Sequence, residues 1–163
     1  MMTQLFLALN LMLLSASVLA VELLTIKTIG LELARDIANE TVMQCRKMGY
    51  QVSVAVVDRS GNLRVALRDD LAARFTLQIA EEKANAVIMA GVDSAEFVKN
   101  RADIRMEMNH VNGITMLQGG LMITAAGQRV GAVGVSGAPG GELDEACAKK
   151  ALETFAERLE FAE

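Results

Sequence analysis

The sequence predicts a single α+β domain, and three observations carry that reading. The chain has 163 residues, room for one domain and not two. Two pairs of short, β-branched and apolar runs are split by turn signals, at residues 50–68 and 121–136. Segments with apolar residues at steps of three and four lie before, between and after those pairs. Two hairpins favour antiparallel pairing in one sheet, with helices covering its faces.

Residues 1–20 contain no charged side chain, and Leu5 to Leu14 is almost continuously apolar. The run is shorter than the about 20 apolar residues of a membrane span. It is followed by Ser15-Ala16-Ser17-Val18-Leu19-Ala20, with permitted residues at the last and third-last places. This is the pattern of a signal peptide cleaved after Ala20, leaving a domain of residues 21–163. No basic residue precedes the apolar core, and a buried or membrane-anchoring N-terminal helix is the competing reading.

Residues 25–48 read as a helix with Ile26, Ile29, Leu33, Ile37 and Thr41 on one face, stopped by Gly49. Val52, Val54, Val56 and Val57 make residues 50–58 a largely buried strand. Arg59-Ser60-Gly61-Asn62 turns the chain, and Leu63 to Leu67 completes the hairpin. Residues 72–90 read as an alanine-rich helix with a stripe of Phe75, Ile79, Lys83, Ala86 and Ala90, closed by Gly91. Asp93-Ser94 starts a short helix through Arg101, and residues 102–118 show no clean period. Residues 121–124 and 129–136 are strands about the turn Ala126-Gly127-Gln128. Gly131, Gly134 and Gly137 punctuate the second strand, where glycine marks a bulge or a close approach by another group. A final helix, residues 142–160, carries Leu143, Cys147, Ala151, Phe155 and Leu159 on one side and three acids in its first turn. Cys45 and Cys147 fall on the first and last helices, which can pack on one sheet face. A bridge between them requires Cα atoms within about 7 Å; two buried thiols are the alternative.

The net charge is −4 and no basic cluster stands out, which argues against a nucleic-acid partner. No second apolar stretch approaches membrane length, so the chain without its leader is expected to leave the membrane. The one histidine has no evident nucleophile and acid partners, and Ser53, Ser60, Ser94 and Ser136 form no GxSxG turn. One histidine and two distant cysteines make no zinc signature, and Asp58, Asp69 and Asp70 read as solvated acids at strand ends. A ligand-binding module therefore fits better than a self-contained hydrolase, and whether the protein is an enzyme stays open.

Within Met106-Glu107-Met108-Asn109-His110, both Met108 and His110 are candidate axial ligands to haem iron, His110 being the candidate metal ligand. The plainer role of such methionines is to fill gaps in a core. Gly137, Gly140 and Gly141 lead into a helix N-terminus, where free backbone N–H groups can hold a carboxylate such as a haem propionate. The acids just inside that helix oppose an anion, and a plain strand-to-helix turn is the alternative. Arg68, Asp69 and Lys83 are candidate polar contacts for a small oxygenated metabolite, or simple surface salt bridges.

Several blocks in order carry a family resemblance. They are Val54-Ala-Val-Val-Asp58-Arg-Ser-Gly61-Asn-Leu63, Arg68-Asp69-Asp70, Ala80-Glu-Glu-Lys83-Ala84-Asn-Ala86, Gly119-Gly120-Leu121-Met122-Ile123, Val130 to Gly137 and Asp144-Glu-Ala146. Over about residues 25–160 the chain resembles the GlcG/HbpS-like haem-binding family and the C-terminal part of PduO-type proteins. The resemblance implies a profilin-like α+β fold, with an antiparallel sheet of about five strands flanked by helices, and homo-oligomers. It also implies haem binding in some members. Secreted relatives are linked to haem sensing or degradation, and cytoplasmic ones to glycolate or diol metabolism. It carries over no axial ligand. The chain departs from the family at Leu121-Met122, where proline often follows Gly-Gly, and in its methionine-rich residues 106–116. The leading expectation is a periplasmic or secreted protein that binds haem non-covalently in an apolar pocket. Two other readings stand beside it: an accessory protein or enzyme for a small hydroxy acid or diol, and an oligomeric structural or interaction module.

Overall fold

The computed structural model describes residues 24–162; the expected leader, residues 1–20, lies outside them. A helix α1 (Leu31–Lys47) precedes a hairpin of β1 (Ser53–Asp58) and β2 (Leu63–Arg68). Helix α2 (Thr76–Ala90) and a short α3 (Ser94–Asn100) follow. A 3-10 turn (Ala102–Ile104) and the single turn α4 (Arg105–Met108) lead to a second hairpin, β3 (Gly120–Ala125) and β4 (Gln128–Ser136). The chain ends in α5 (Gly141–Thr154) and α6 (Ala156–Glu160). Among the described residues, no helix is long and apolar enough to cross a membrane.

Both hairpins join one antiparallel sheet in the order β2-β1-β4-β3. The centre is the β1–β4 pairing, from Ser53 opposite Ser136 to Asp58 opposite Gly131. The described chain supplies four strands to this sheet, where about five were expected. The residues before α1 are extended but touch the sheet through one backbone bond, Ile29 N–H to the Val130 carbonyl at 3.0 Å.

Side-chain alternation sorts the two faces. Val54, Val56, Leu121, Ile123, Val133 and Val135 pack with Ile37, Ala38, Cys45, Cys147 and Ala148 of α1 and α5 in the main core. Val57 and Ala132 face the other way, against Ala84 and Val87 of α2. Cys45 and Cys147 form a disulfide that ties α1 to α5 across 102 residues of sequence, with Cα atoms 5.1 Å apart. That separation lies within the usual span of such bridges.

The α2 face is unusually close. A Cβ on Gly134 would collide with the Ala80 carbonyl, and one on Gly120 would lie 2.6 Å from the Lys83 carbonyl oxygen. The helix offers small side chains in return, Ala80 and Ala84, both fully buried. The strand glycines thus mark a close approach, as expected, and the approaching group is the chain's own helix.

Three element boundaries differ from expectation. Helix α1 starts at Leu31, not Thr25, because the preceding backbone is held extended along β4 and Ile26 is left exposed. Helix α2 starts at Thr76, and its buried stripe is Ala80, Lys83, Ala84, Ala86 and Val87. Phe75, placed on the stripe by spacing, is 62% exposed and sits under the Arg74 guanidinium. The last helix breaks at Phe155, so that α6 can turn and offer the Leu159 carbonyl to Ala126 N–H at 2.9 Å.

Candidate functional site

A buried ion pair sits at one end of the sheet. Lys83 of α2 and Asp144 of α5 approach from opposite faces, and their side chains are each 4% exposed. Lys83 Nζ donates to Asp144 Oδ2 and to the Val135 carbonyl, both at 2.8 Å. Asp144 Oδ1 accepts Ala138 N–H at 2.9 Å. Gly119, at φ +122°, makes room for the pair: a Cβ there would lie 2.8 Å from Lys83 Nζ. Burial pushes the Asp144 carboxyl above its ordinary value, with the Lys83 hydrogen bond and charge opposing the rise. The pair latches α2 to α5.

The glycine-rich turn is filled by the protein itself. Ala138 N–H is taken by Asp144. The space over Gly140 holds the Glu142 carboxylate, and a Cβ on Gly141 would lie 2.5 Å from the Gln118 carbonyl oxygen. Gly137 packs equally close to the Gln51 carbonyl oxygen, at 2.7 Å from a Cβ position. At Gly137 and Gly141 glycine is needed because backbone crosses backbone there. Arg68 lies on the exposed edge strand β2 and donates to the Ala72 carbonyl at 2.7 Å. Asp69 is held by Arg46 through Nε–Oδ2 at 2.8 Å and Nη2–Oδ1 at 2.5 Å, and these hydrogen bonds keep its carboxyl below the ordinary range. Asp58 accepts N–H bonds from Ser60 and Asn62 and so holds the first hairpin turn.

The structure brings the methionine segment to a cleft. Met89, Ala90 and Val92 at the end of α2, Phe97, Asn100 and Arg101 of α3 and its C-cap, and Ile104 and Met108 of the following turns line a hollow of about 510 Å³. Its inner wall is a small core of Ala86, Phe97 and Met116, with Met108 half-buried against it. Arg101 stands at the rim, half-exposed, with Nε 3.3 Å from Asp103 Oδ1. His110 follows Met108 by two residues and is exposed. Met108 and His110 therefore share a segment, whereas Arg68, Lys83 and the three glycines lie elsewhere. Met89 and Arg101, which periodicity did not single out, complete the cleft.

A second, larger groove of about 810 Å³ runs beside the edge strand β3, against α5 and α6. Leu121, Met122, Leu152 and Leu159 supply its apolar surface. Asp93, Glu145, Glu153 and Glu160 line it with one cation, Lys149. Both hollows fall within the about 300–1,000 Å³ of small-molecule sites. Among the described residues, no group of three or more histidine, cysteine or carboxylate side chains is placed to hold a metal ion.

The described residues form a small α+β domain in which helices close both faces of one antiparallel sheet. Comparison with known proteins gives its family: residues 29–153 match the family described as haem degrading protein HbpS-like, and the chain belongs to it. Protein GlcG of Escherichia coli (strain K12) is 31% identical over 93 residues, which are 57% of this chain and 69% of that protein. The crystal structure of a double mutant of HbpS from Streptomyces reticuli is similar at TM-score 0.76 and 36% identity, covering 83% of this chain and 92% of that one. A PduOC:haem complex shares the fold at TM-score 0.68 and 21% identity, over 77% of this chain and 94% of that one.

Proposed function

We propose that the protein is an exported haem-binding protein and that the macrocycle lies in the cleft beside α3 and α4. The observation that carries this reading is the chemistry of that cleft. It combines an aromatic and aliphatic wall with two thioethers, Met89 and Met108, and a guanidinium at the rim. Thioether sulfur and imidazole are both axial ligands to haem iron, which makes Met108 and His110 the residues to hold the metal. A guanidinium suits a carboxylate, so Arg101 is matched to a propionate. The larger groove fits haem poorly, because four carboxylates and one ammonium would face a ligand that carries two carboxylates of its own. Haem, when bound, supplies redox-active iron; the protein's own part is to exclude water with Phe97, Ile104 and Met108 and to orient the carboxylates.

Membership of the HbpS-like family supports a haem-related role. Export is supported by the leader pattern of residues 1–20 and by the buried disulfide, which persists in oxidising compartments. Exposed Leu71 and Phe75, close together before α2, support association into homo-oligomers, which light scattering after gel filtration checks. For the hydroxy-acid reading, the Arg68 and Lys83 donors are each engaged within the protein, by the Ala72 carbonyl and by Asp144.

A haem titration of the disulfide-bonded protein, followed by absorbance, tests the proposal. A saturable Soret band is expected at stoichiometric haem. Met108→Ala or His110→Ala shifts the band, and Arg101→Ala weakens affinity by roughly tenfold. A featureless titration refutes haem binding. A normal titration unaltered by all three substitutions refutes the cleft.

A further inference from the structure

The segment that carries Met108 and His110 runs on into Asn112-Gly113, the one Asn-Gly pair in the sequence. Both residues are exposed in a turn, and Gly113 stands at φ +84° with nothing within 4 Å of a Cβ position. In such a pair the main-chain nitrogen of the glycine lies within reach of the asparagine side-chain carbonyl carbon, and no side chain bars the approach. A folded chain prevents the reaction by engaging that N–H or the side-chain amide in hydrogen bonds.

The other asparagines of the described chain are held in that way. The residues after Asn39 and Asn85 lie inside α1 and α2, with their N–H groups in the helical ladder. After Asn100, Arg101 N–H donates to the Phe97 carbonyl at 3.0 Å, and the Asn62 side-chain amide is held by Asp58. Asn109 is held twice: its Oδ1 accepts Met116 N–H, and the following His110 N–H donates to the Glu107 carbonyl, both at 3.0 Å. Gly113 N–H has no main-chain partner among the described residues, and the Asn112 side chain is exposed.

The loop is anchored to α2 just beyond this bond. The Gly113 carbonyl accepts from Asn85 Nδ2 at 3.0 Å, and Thr115 N–H donates to the Glu82 carbonyl at 3.4 Å. Met116, 1% exposed, packs with Ala86 and Phe97 behind the cleft. The other half of the anchoring amide, Asn85 Oδ1, is buried without a donor.

We propose that Asn112 is a self-modification site, a slow covalent timer on the loop behind the cleft. Base takes the Gly113 amide proton, and the nitrogen attacks the Asn112 side-chain carbonyl carbon. A C–N bond forms, the bond to the side-chain nitrogen breaks, and that nitrogen leaves with a proton as ammonia. Water then opens one carbonyl of the resulting succinimide, leaving aspartate or isoaspartate. Either product adds a negative charge. Isoaspartate also adds one carbon to the main chain before the Gly113 carbonyl, which moves that carbonyl off Asn85 and loosens the turns that carry Met108 and His110. The effect on haem rests on the cleft proposed above; the modification itself does not.

The full oxidised protein is aged in warm, mildly alkaline buffer, with and without urea, and its peptides are followed by tandem mass spectrometry. Asn112 is expected to convert in the folded protein at a rate within a few-fold of that in urea, whereas Asn109 converts only in urea. Mildly acidic buffer slows the conversion several-fold. Asn112→Gln abolishes it, because the longer side chain would have to close a six-membered ring. Limited trypsin digestion reads the timer: cleavage after Arg101 and Arg105 rises several-fold in the aged wild type and stays at the fresh level in aged Asn112→Gln. Haem affinity falls several-fold in the aged wild type alone. Asn112 that stays intact in the folded protein but converts in urea overturns the modification site. Conversion with unchanged trypsin cleavage overturns the timer. Faster cleavage in a protein that binds no haem supports the timer and refutes the haem reading.

Discussion

Replacing Lys83 by methionine removes the cation from a closed site and keeps most of its volume. Asp144 then retains one donor, Ala138 N–H, while its side chain stays 4% exposed. Breaking a buried ion pair from one side costs about 3–5 kcal/mol, because the remaining charge is uncompensated. An upper bound comes from the escape route. The carboxyl can take a proton, at about 1.4 kcal/mol for each pH unit above an ordinary aspartate value of about 3.9. At pH 7 that route costs roughly 4 kcal/mol, and at pH 5 about 1.5 kcal/mol. The two figures agree at neutral pH, and only the second falls with acid. For a domain of this size about 4 kcal/mol corresponds to a loss of roughly 10–20 °C in Tm.

The sign is fixed by the raised value of Asp144. A carboxyl whose folded value lies above its unfolded one favours folding at low pH, and that contribution is lost as pH rises through the folded value. Removing Lys83 raises the folded value further. The deficit of Lys83→Met relative to wild type is therefore expected to shrink steadily from pH 7 to pH 5. Urea denaturation of the oxidised protein at half-unit pH steps measures it. The double variant Lys83→Met/Asp144→Leu should recover much of the loss, since an apolar pair removes the buried charge altogether. A deficit that is independent of pH over this range, or a double variant whose cost equals the sum of the two single ones, would refute the account of the pair as a coupled buried charge.

Two further outcomes follow from the packing. Reducing the Cys45–Cys147 bridge, or replacing both cysteines by serine, opens a link spanning 102 residues; a stability loss of about 2–5 kcal/mol is expected in urea denaturation with and without reductant. Gly134→Ala places a methyl against the Ala80 carbonyl and forces α2 off the sheet. A cost of about 1–3 kcal/mol is expected by thermal melting, whereas an alanine at exposed Gly30, which meets no atom within 4 Å, should leave the folded contacts intact.

The parts of the fold legible in the sequence are those set by short-range pattern. Both hairpins are present, and so are the short helix after Asp93 and the absence of a clean period in residues 102–118. Even there, Asp93 is used differently from a simple helix start, since its carboxylate receives Met122 N–H from the edge strand. What pattern could not show depends on partners far along the chain. Lys83 and Asp144 are 61 residues apart, and each looks locally like a solvated charge on a helix. The expected start of α1 failed because Ile26 and Ile29 keep helical spacing while Ile29 N–H is bonded to the Val130 carbonyl of β4 and Gly30 is extended. Met108 and His110 were visible as chemistry-bearing residue types, but the wall that gives Met108 a cleft comes from α2 and α3.

Small residues also explain where the protein leaves space. Glycines on β3 and β4 and alanines on α2 let the helix approach until its backbone at Ala80 and Lys83 meets Gly134 and Gly120. The opposite face is closed by a branched apolar core and the α1–α5 disulfide. A flat macrocycle entering either layer would have to part surfaces already in van der Waals contact, at the cost of the burial that holds the domain together. The hollows described above lie at the margins of the sheet, one beside α3 and α4 and the other beside α6. Their linings differ in charge, four carboxylates and one ammonium in the larger against one guanidinium in the smaller.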